Sequence, residues 1–127
     1  MGNFIRSRIQ SFRNAFRGWG YVIRTQRNAW IHAVVTIVVI ALAFFLQIHL
    51  LEWAILFIAI TIVWLAEFLN TALEAVVDLA SPQEHQLAMR GKDVGAAAVL
   101  ISAISSILIG LLILGPPLWT VIKGWFN

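Results

Sequence analysis

Along residues 3–28, apolar side chains return at helical spacing. Ile5, Ile9, Phe12, Phe16, Trp19 and Ile23 stand four, three, four, three and four positions apart. At ~100° per residue they fall within a narrow arc of one helix. Arg6, Arg13, Arg17 and Arg24 gather about 100° from that arc by the same period. An apolar stripe with aromatics beside arginines predicts an amphipathic helix lying at the headgroup boundary of an anionic leaflet. The competing reading is a helix packed on a soluble core, for which the rest of the chain leaves little material.

Beyond this segment the period gives way to long apolar runs. Residues 31–51 carry no formal charge and reach the ~20 residues needed to cross a bilayer. A second span starts near Trp53 and continues helically to about residue 79, and a third covers about 93–114. Trp30 and Trp53 stand at span starts as interfacial anchors. The short "QIHLLE" (residues 47–52) predicts a tight outer turn, with His49 structural. Between spans two and three, Ser81 to Glu84 has the form of a capping box with Pro82 at the first helical position. Gly115, Pro116 and Pro117 predict the end of the third helix. Gly91, Gly95, Ala98 and Ser102 offer small positions for close helix contact in lipid.

Composition supports the membrane reading. The chain has 127 residues, enough for one domain, with 61% hydrophobic and 12% charged residues and a mean hydropathy of +0.87. A soluble domain of this size cannot hide that much apolar surface. The absence of cysteine excludes disulfides and thiolate metal sites. Six of the nine basic residues are Arg6, Arg8, Arg13, Arg17, Arg24 and Arg27, and no acid precedes Glu52. That basic part is too long for a signal peptide, and the apolar run after it is long enough to span, so no cleaved segment is expected. With Arg90 and Lys92 in the second loop and Lys123 alone opposite, the arginine-rich side should be cytoplasmic. The expected fold class is therefore an all-α membrane protein. It has three transmembrane helices plus an N-terminal surface helix, with the amino terminus inside and the carboxyl terminus outside.

Candidate chemistry lies in "WLAEFLNTALEAVVDLA" (residues 64–80). Glu67, Asn70, Glu74 and Asp78 are spaced three, four and four apart. With Glu67 at zero, the others fall near 300°, 340° and 20°, all on one face. Each buried acid costs at least ~2.5 kcal/mol at a span's centre. Glu67 follows Trp53 by fourteen residues, about 21 Å along the helix, which puts it in the cytoplasmic third. Three readings compete. The stripe could pair with Lys92, Arg90 or the amino-terminal arginines as a structural element. It could be an ion or drug pathway, although such paths usually place their acid near the midplane. It could be a metal–nucleotide site, in which carboxylates hold Mg²⁺ and one acts as general base. No G-x-x-x-x-G-K-[ST] occurs, and "GWGYVI" (residues 18–23) lacks the last glycine of G-x-G-x-x-G. The residues alone establish a membrane protein with a polar site at the inner surface.

"EFLNTALEAVVDL" (residues 67–79), followed by "KDVGAAAVLISA" (residues 92–103), resembles the prokaryotic diacylglycerol kinase family, which includes undecaprenol kinases. "RTQRNAWIH" (residues 24–32) is similar to the family's T-E-x-N-x-x-I-H segment. The likeness covers nearly the whole chain. It implies a small integral membrane lipid kinase that moves the γ-phosphoryl of ATP to a lipid hydroxyl at the cytoplasmic face of the bacterial inner membrane. It also implies a homotrimer with active sites shared between neighbours. The partners would be ATP, a membrane lipid and further copies of the chain, with no nucleic acid.

By that resemblance Glu67 would be the general base, and Asn70 would orient it or the phosphates. Glu74 would hold Mg²⁺, and Asp78, Lys92 and Asp93, with Glu84 and His85, would serve the nucleotide. Trp19, Ile23 and Trp30 would line the lipid's path. The sequence departs from the family at Gln26, where many relatives carry a metal-binding glutamate. A glutamine carbonyl can still serve, with weaker metal binding or more reliance on ATP's phosphates. His32 is either a site neighbour or a satisfied polar group. "TQRNAWIH" (residues 25–32) leans toward the undecaprenol branch. The rival to a kinase is a non-catalytic membrane protein, a cation pathway or an assembly element, with a structural acidic stripe.

Overall fold

The computed structural model describes residues 2–83 and 85–126, with the side chains of residues 2, 3 and 126 left aside. It contains four helices in order: α1 (Gly2–Thr25), α2 (Arg27–Phe45), α3 (Leu50–Ala80) and α4 (Gln86–Phe126). Three of them, α2, α3 and α4, are long and apolar enough to cross a membrane.

The expected first helix ends earlier than residue 28. Gln26 is extended (φ −101°, ψ 116°) and caps α2, so Arg27 and Asn28 open the first span instead of closing the surface helix. The chain turns there because the Gln26 side chain is held from outside its own helix, as described below.

The outer turn follows from the backbone of residues 46–49. Gln47 has φ 51°. Its N–H donates to Phe44 O at 3.3 Å, and that of Ile48 donates to Ala43 O at 3.4 Å. These are the two bonds of a Schellman closure, and they satisfy carbonyls the helix end leaves free. Ile48 then packs on the cluster of Ala43, Leu56 and Leu114 that forms the outer core. The second span starts at Leu50, slightly before Trp53, capped by His49, whose N–H donates to Glu52 Oε2 at 2.8 Å.

α3 and α4 form the main packing pair. Ser106 Oγ donates to Ala59 O across it at 3.0 Å, which requires backbones in close approach. Much of the remaining apolar surface faces outward. Phe44, Phe57 and Leu112 are 70%, 70% and 76% exposed, a surface compatible with acyl chains and not with water.

Two expected helix boundaries are corrected. α4 does not begin at Pro82. Ser81 closes α3 with its N–H on Val77 O, its hydroxyl donates to Gln83 O, and residues 81–83 are non-helical. Its cap is His85, whose Nδ1 accepts the Leu87 N–H at 3.2 Å. Glu84, the other half of the expected capping box, lies outside the described residues. Nor does α4 stop at Gly115; it runs through Pro116 and Pro117 to Phe126. Proline deletes a donor without forbidding helical φ, and a helix in lipid loses more by unwinding than by forgoing two bonds. Thr120 Oγ1 donates back to Pro116 O at 3.1 Å and steadies that turn.

Gln47 holds a left-handed conformation that disfavours a β-carbon. Replacing Gln47 with Gly should raise unfolding stability by about 1 kcal/mol, measured by denaturant titration in detergent.

Candidate active site

The inward face of α3 begins apolar and turns polar without changing direction. Leu56, Ala59, Val63, Glu67 and Asn70 are all buried, at steps of three and four. Glu67 is 1% exposed, Asn70 9% and Thr71 3%. Thr71 satisfies its hydroxyl on Glu67 O at 2.8 Å within the helix. A carboxylate this deep was placed there by the same periodicity that placed the leucine and valine before it.

One turn further, half-buried Glu74 accepts two amide hydrogens. Asn70 Nδ2 donates to its Oε1 at 3.0 Å and Gln26 Nε2 to its Oε2 at 3.0 Å. Hydrogen bonds onto a carboxylate are roughly twice as strong as neutral ones. The Gln26 bond joins residues 48 apart and fixes the corner between α1 and α2.

Asp78 lies outside this cluster. It is exposed and pairs with Lys92 Nζ at 2.6 Å, across from the start of α4. Asp93 is exposed beside Lys92, and His85 is exposed with its Nδ1 committed to the α4 cap. The structure thus joins Gln26, Glu67, Asn70 and Glu74 in one polar line, with the Asp78–Lys92 pair beyond it.

Among the described residues, three buried polar atoms in this region have no hydrogen-bond partner: Glu67 Oε2, Asn70 Oδ1 and His32 Nε2. Leaving such an atom unpaired costs about 1–3 kcal/mol. Such groups are rare in native folds, and a catalytic role, an ordered water or a bound ion is what accounts for them. α4 closes the site's other side at Gly95, where a β-carbon would run into Asn70 Oδ1 and meet Leu73 Cδ2 at 3.0 Å. The small residue at 95 is a steric requirement of Asn70.

Beside the polar line runs an apolar groove of about 640 Å³, walled by α1, α2 and α3. At its α1 end, Trp19 meets Phe68 edge-on with centroids 5.8 Å apart and Trp64 at 6.2 Å. Trp64 donates its indole N–H to Thr36 Oγ1 at 3.2 Å. Trp19 and Ile23 line this groove; Trp30 is not among its lining residues and is 60% exposed on the first turn of α2. Trp64 and Phe68 were not singled out from sequence. Their signal was present in the spacing Trp53, Phe57, Ile60, Trp64, Phe68, which marks a second stripe on α3. A separate basic cavity on α1 is lined by Arg13, Arg17, Arg24 and Tyr21.

The chain is thus an all-helical protein with three helices fit to span a membrane, and it sets a buried acid–amide line beside an apolar groove. The model of the prokaryotic diacylglycerol kinase family matches residues 13–114, and the chain belongs to that family. It is 40% identical over 110 residues to the undecaprenol kinase of Bacillus subtilis, an alignment covering 87% of this chain and 89% of that protein. It is 42% identical over 111 residues to a diacylglycerol kinase of Synechocystis, covering 87% of this chain and 63% of the relative. Against the diacylglycerol kinase of Escherichia coli it is 32% identical over 104 residues, covering 76% and 85%.

Gly95→Ala should displace Asn70 from Glu74 and destabilise the α3–α4 pair by about 1–3 kcal/mol. The thermal midpoint in detergent would fall, while a control Gly124→Ala, with nothing near its β-carbon, would leave it in place.

Proposed function

We propose that this chain uses ATP to phosphorylate the hydroxyl of a membrane lipid, diacylglycerol or undecaprenol, at the cytoplasmic face of a bacterial cell membrane. Membership of a lipid-kinase family supports the reaction class. The observation that carries the reading at the level of residues is Glu67, a carboxylate with 1% exposure and an unpartnered oxygen, one turn from a groove residue, Trp64.

In this reading Glu67 Oε2 accepts the proton of the lipid hydroxyl. The lipid oxygen attacks the γ-phosphorus, and ADP leaves with the electron pair of the broken P–O bond. Such transfer demands positioning and charge compensation more than covalent catalysis. Asn70, turned by its bond to Glu74, presents Oδ1 toward the base or the phosphates. Lys92 and Asp93, with His85 and Glu84 from the loop, serve the nucleotide, and Asp78 holds Lys92 in reach. Trp19 and Ile23 form the α1 wall of the lipid path, with α1 lying on the membrane surface and the amino terminus cytoplasmic. Chain copies assemble as a homotrimer, each a single lipid-kinase unit.

A divalent cation fits the donor set only in a limited way. Among the described residues, no three His, Asp or Glu side chains converge as a complete cage. Glu74 with the Gln26 amide offers one charge and oxygen donors, which suits Mg²⁺, an ion that keeps waters and takes much of its shell from substrate phosphates. Glu74 and Gln26 would hold it, and when bound it would neutralise charge on the β- and γ-phosphates. Gln26 now points its nitrogen at Glu74; a half-turn of the amide exchanges nitrogen for oxygen there.

Purified protein in lipid bilayers, given labelled ATP and a panel containing both alcohols, should yield a labelled lipid phosphate. Glu67→Gln should lower kcat by about 10²-fold to 10⁴-fold with helix content retained; near-normal turnover in that variant would remove Glu67 as the base. Gln26→Glu should lower the Mg²⁺ concentration for half-maximal rate, and an unchanged titration would take residue 26 out of the metal site.

A further inference from the structure

Glu67 is not the only buried group left incomplete. His32 on α2 sits across from it, with Nε2 at 3.8 Å from Glu67 Oε2. That is too far for a hydrogen bond, and neither atom has another partner among the described residues. The imidazole side chain is 14% exposed and the carboxylate 2%. At this separation a single oxygen atom placed off the line between the two would lie at ordinary hydrogen-bond distance from each. The pair lies next to the groove: the His32 ring meets Trp64 edge-on at 6.4 Å, and Trp64 lines the groove one turn before Glu67.

We propose that His32 is a second catalytic residue, and that the lipid hydroxyl oxygen binds between His32 Nε2 and Glu67 Oε2. A hydroxyl has one hydrogen and two lone pairs. The imidazole N–H donates to one lone pair, the hydroxyl hydrogen goes to Glu67, and the other lone pair is left to attack the γ-phosphorus. The oxygen's orientation is then fixed on three sides before the transfer begins. A carboxylate alone fixes only the O–H direction and lets the oxygen swing about that bond. The same contact completes both orphaned atoms at once, so a primary alcohol at the end of a greasy chain replaces what the fold leaves unpaired.

This rests on the lipid-kinase reading above, and it is separable from it. The alternative for the same pair is a His⁺–Glu⁻ ion pair that only holds α2 to α3. Three proteins distinguish them: wild type, His32→Leu and His32→Gln, each assayed in bilayers across lipid and ATP concentrations. Glutamine keeps an N–H of similar reach and cannot carry charge; leucine keeps volume alone. Expected are a loss of about 10-fold to 100-fold in kcat/KM for the lipid with leucine, little change in KM for ATP, and recovery of most of that loss with glutamine. Equal loss in both variants would assign the role to charge and overturn the proposal. So would leucine matching wild type. An inactive wild type would instead refute the kinase reading itself. Leucine losing helix content would still leave glutamine to decide, since an active glutamine variant with raised lipid KM relative to wild type counts for the contact and an inactive folded one counts against it.

Discussion

Glu74 holds two amides at once, and much of the molecule's arrangement hangs on that. One amide comes from its own helix, Asn70, and the other from Gln26 at the joint of α1 and α2. The first bond sets which way Asn70 points its free oxygen. The second sets where α1 leaves the bundle, and so lays Trp19 and Ile23 over the groove. Without it, nothing local in Thr25–Gln26–Arg27 would stop one helix from continuing into the next. A half-buried carboxylate is a strong anchor here because its alternatives in lipid are poor: unpaired, it would face several kcal/mol of desolvation.

The polar residues of α3 follow a gradient of burial, and their chemistry follows the gradient. Glu67 is shut away with an oxygen unpaired, Glu74 is half-buried and fully engaged by neutral donors, and Asp78 is exposed and paired to a lysine. A surface pair such as Asp78–Lys92 contributes little to stability, since water already satisfies both ends. Its value is positional. The deep acid is the reverse: buried and with an oxygen unpaired, it is destabilising by itself. Stability for the set comes from elsewhere, from the outer cluster of Ala43, Leu56 and Leu114 and from the close α3–α4 contact at Ser106 and Ala59.

What was legible in the sequence was whatever depends on period and composition. Three spans, the one-faced line of Glu67, Asn70, Glu74 and Asp78, and the turn near Gln47 all follow from spacing and apolarity. The site's partners across space were less so. Gln26 came to notice through a family resemblance and not through its own neighbourhood, because a bond between residues 48 apart leaves no local trace. His32 reads equally as a satisfied polar group or a site neighbour, and its 3.8 Å approach to Glu67 joins residues far apart in the chain. The later end of α4, beyond Pro116, has its cause in the medium. Rules for prolines and caps describe helices in water, where an unwound turn can bond to solvent. In lipid that exit is closed, so α4 continues through two prolines.

Depth ties these features to function. α3 has 31 residues, about 46 Å at 1.5 Å per residue, against a hydrocarbon core of ~30 Å. Its surplus length must project beyond that core, and the acids cluster at the end where it does. Glu67 lies about 26 Å from the helix start by the same rise, still within the apolar layer, while Asp78 is about 16 Å further along. A lipid alcohol carries its hydroxyl at the top of its chains and cannot lift it far without exposing them to water. A nucleotide cannot descend into hydrocarbon. The two reactants can meet only along the roughly 16 Å between Glu67 and Asp78, which is where the structure concentrates its amides, its carboxylates and its unpaired atoms.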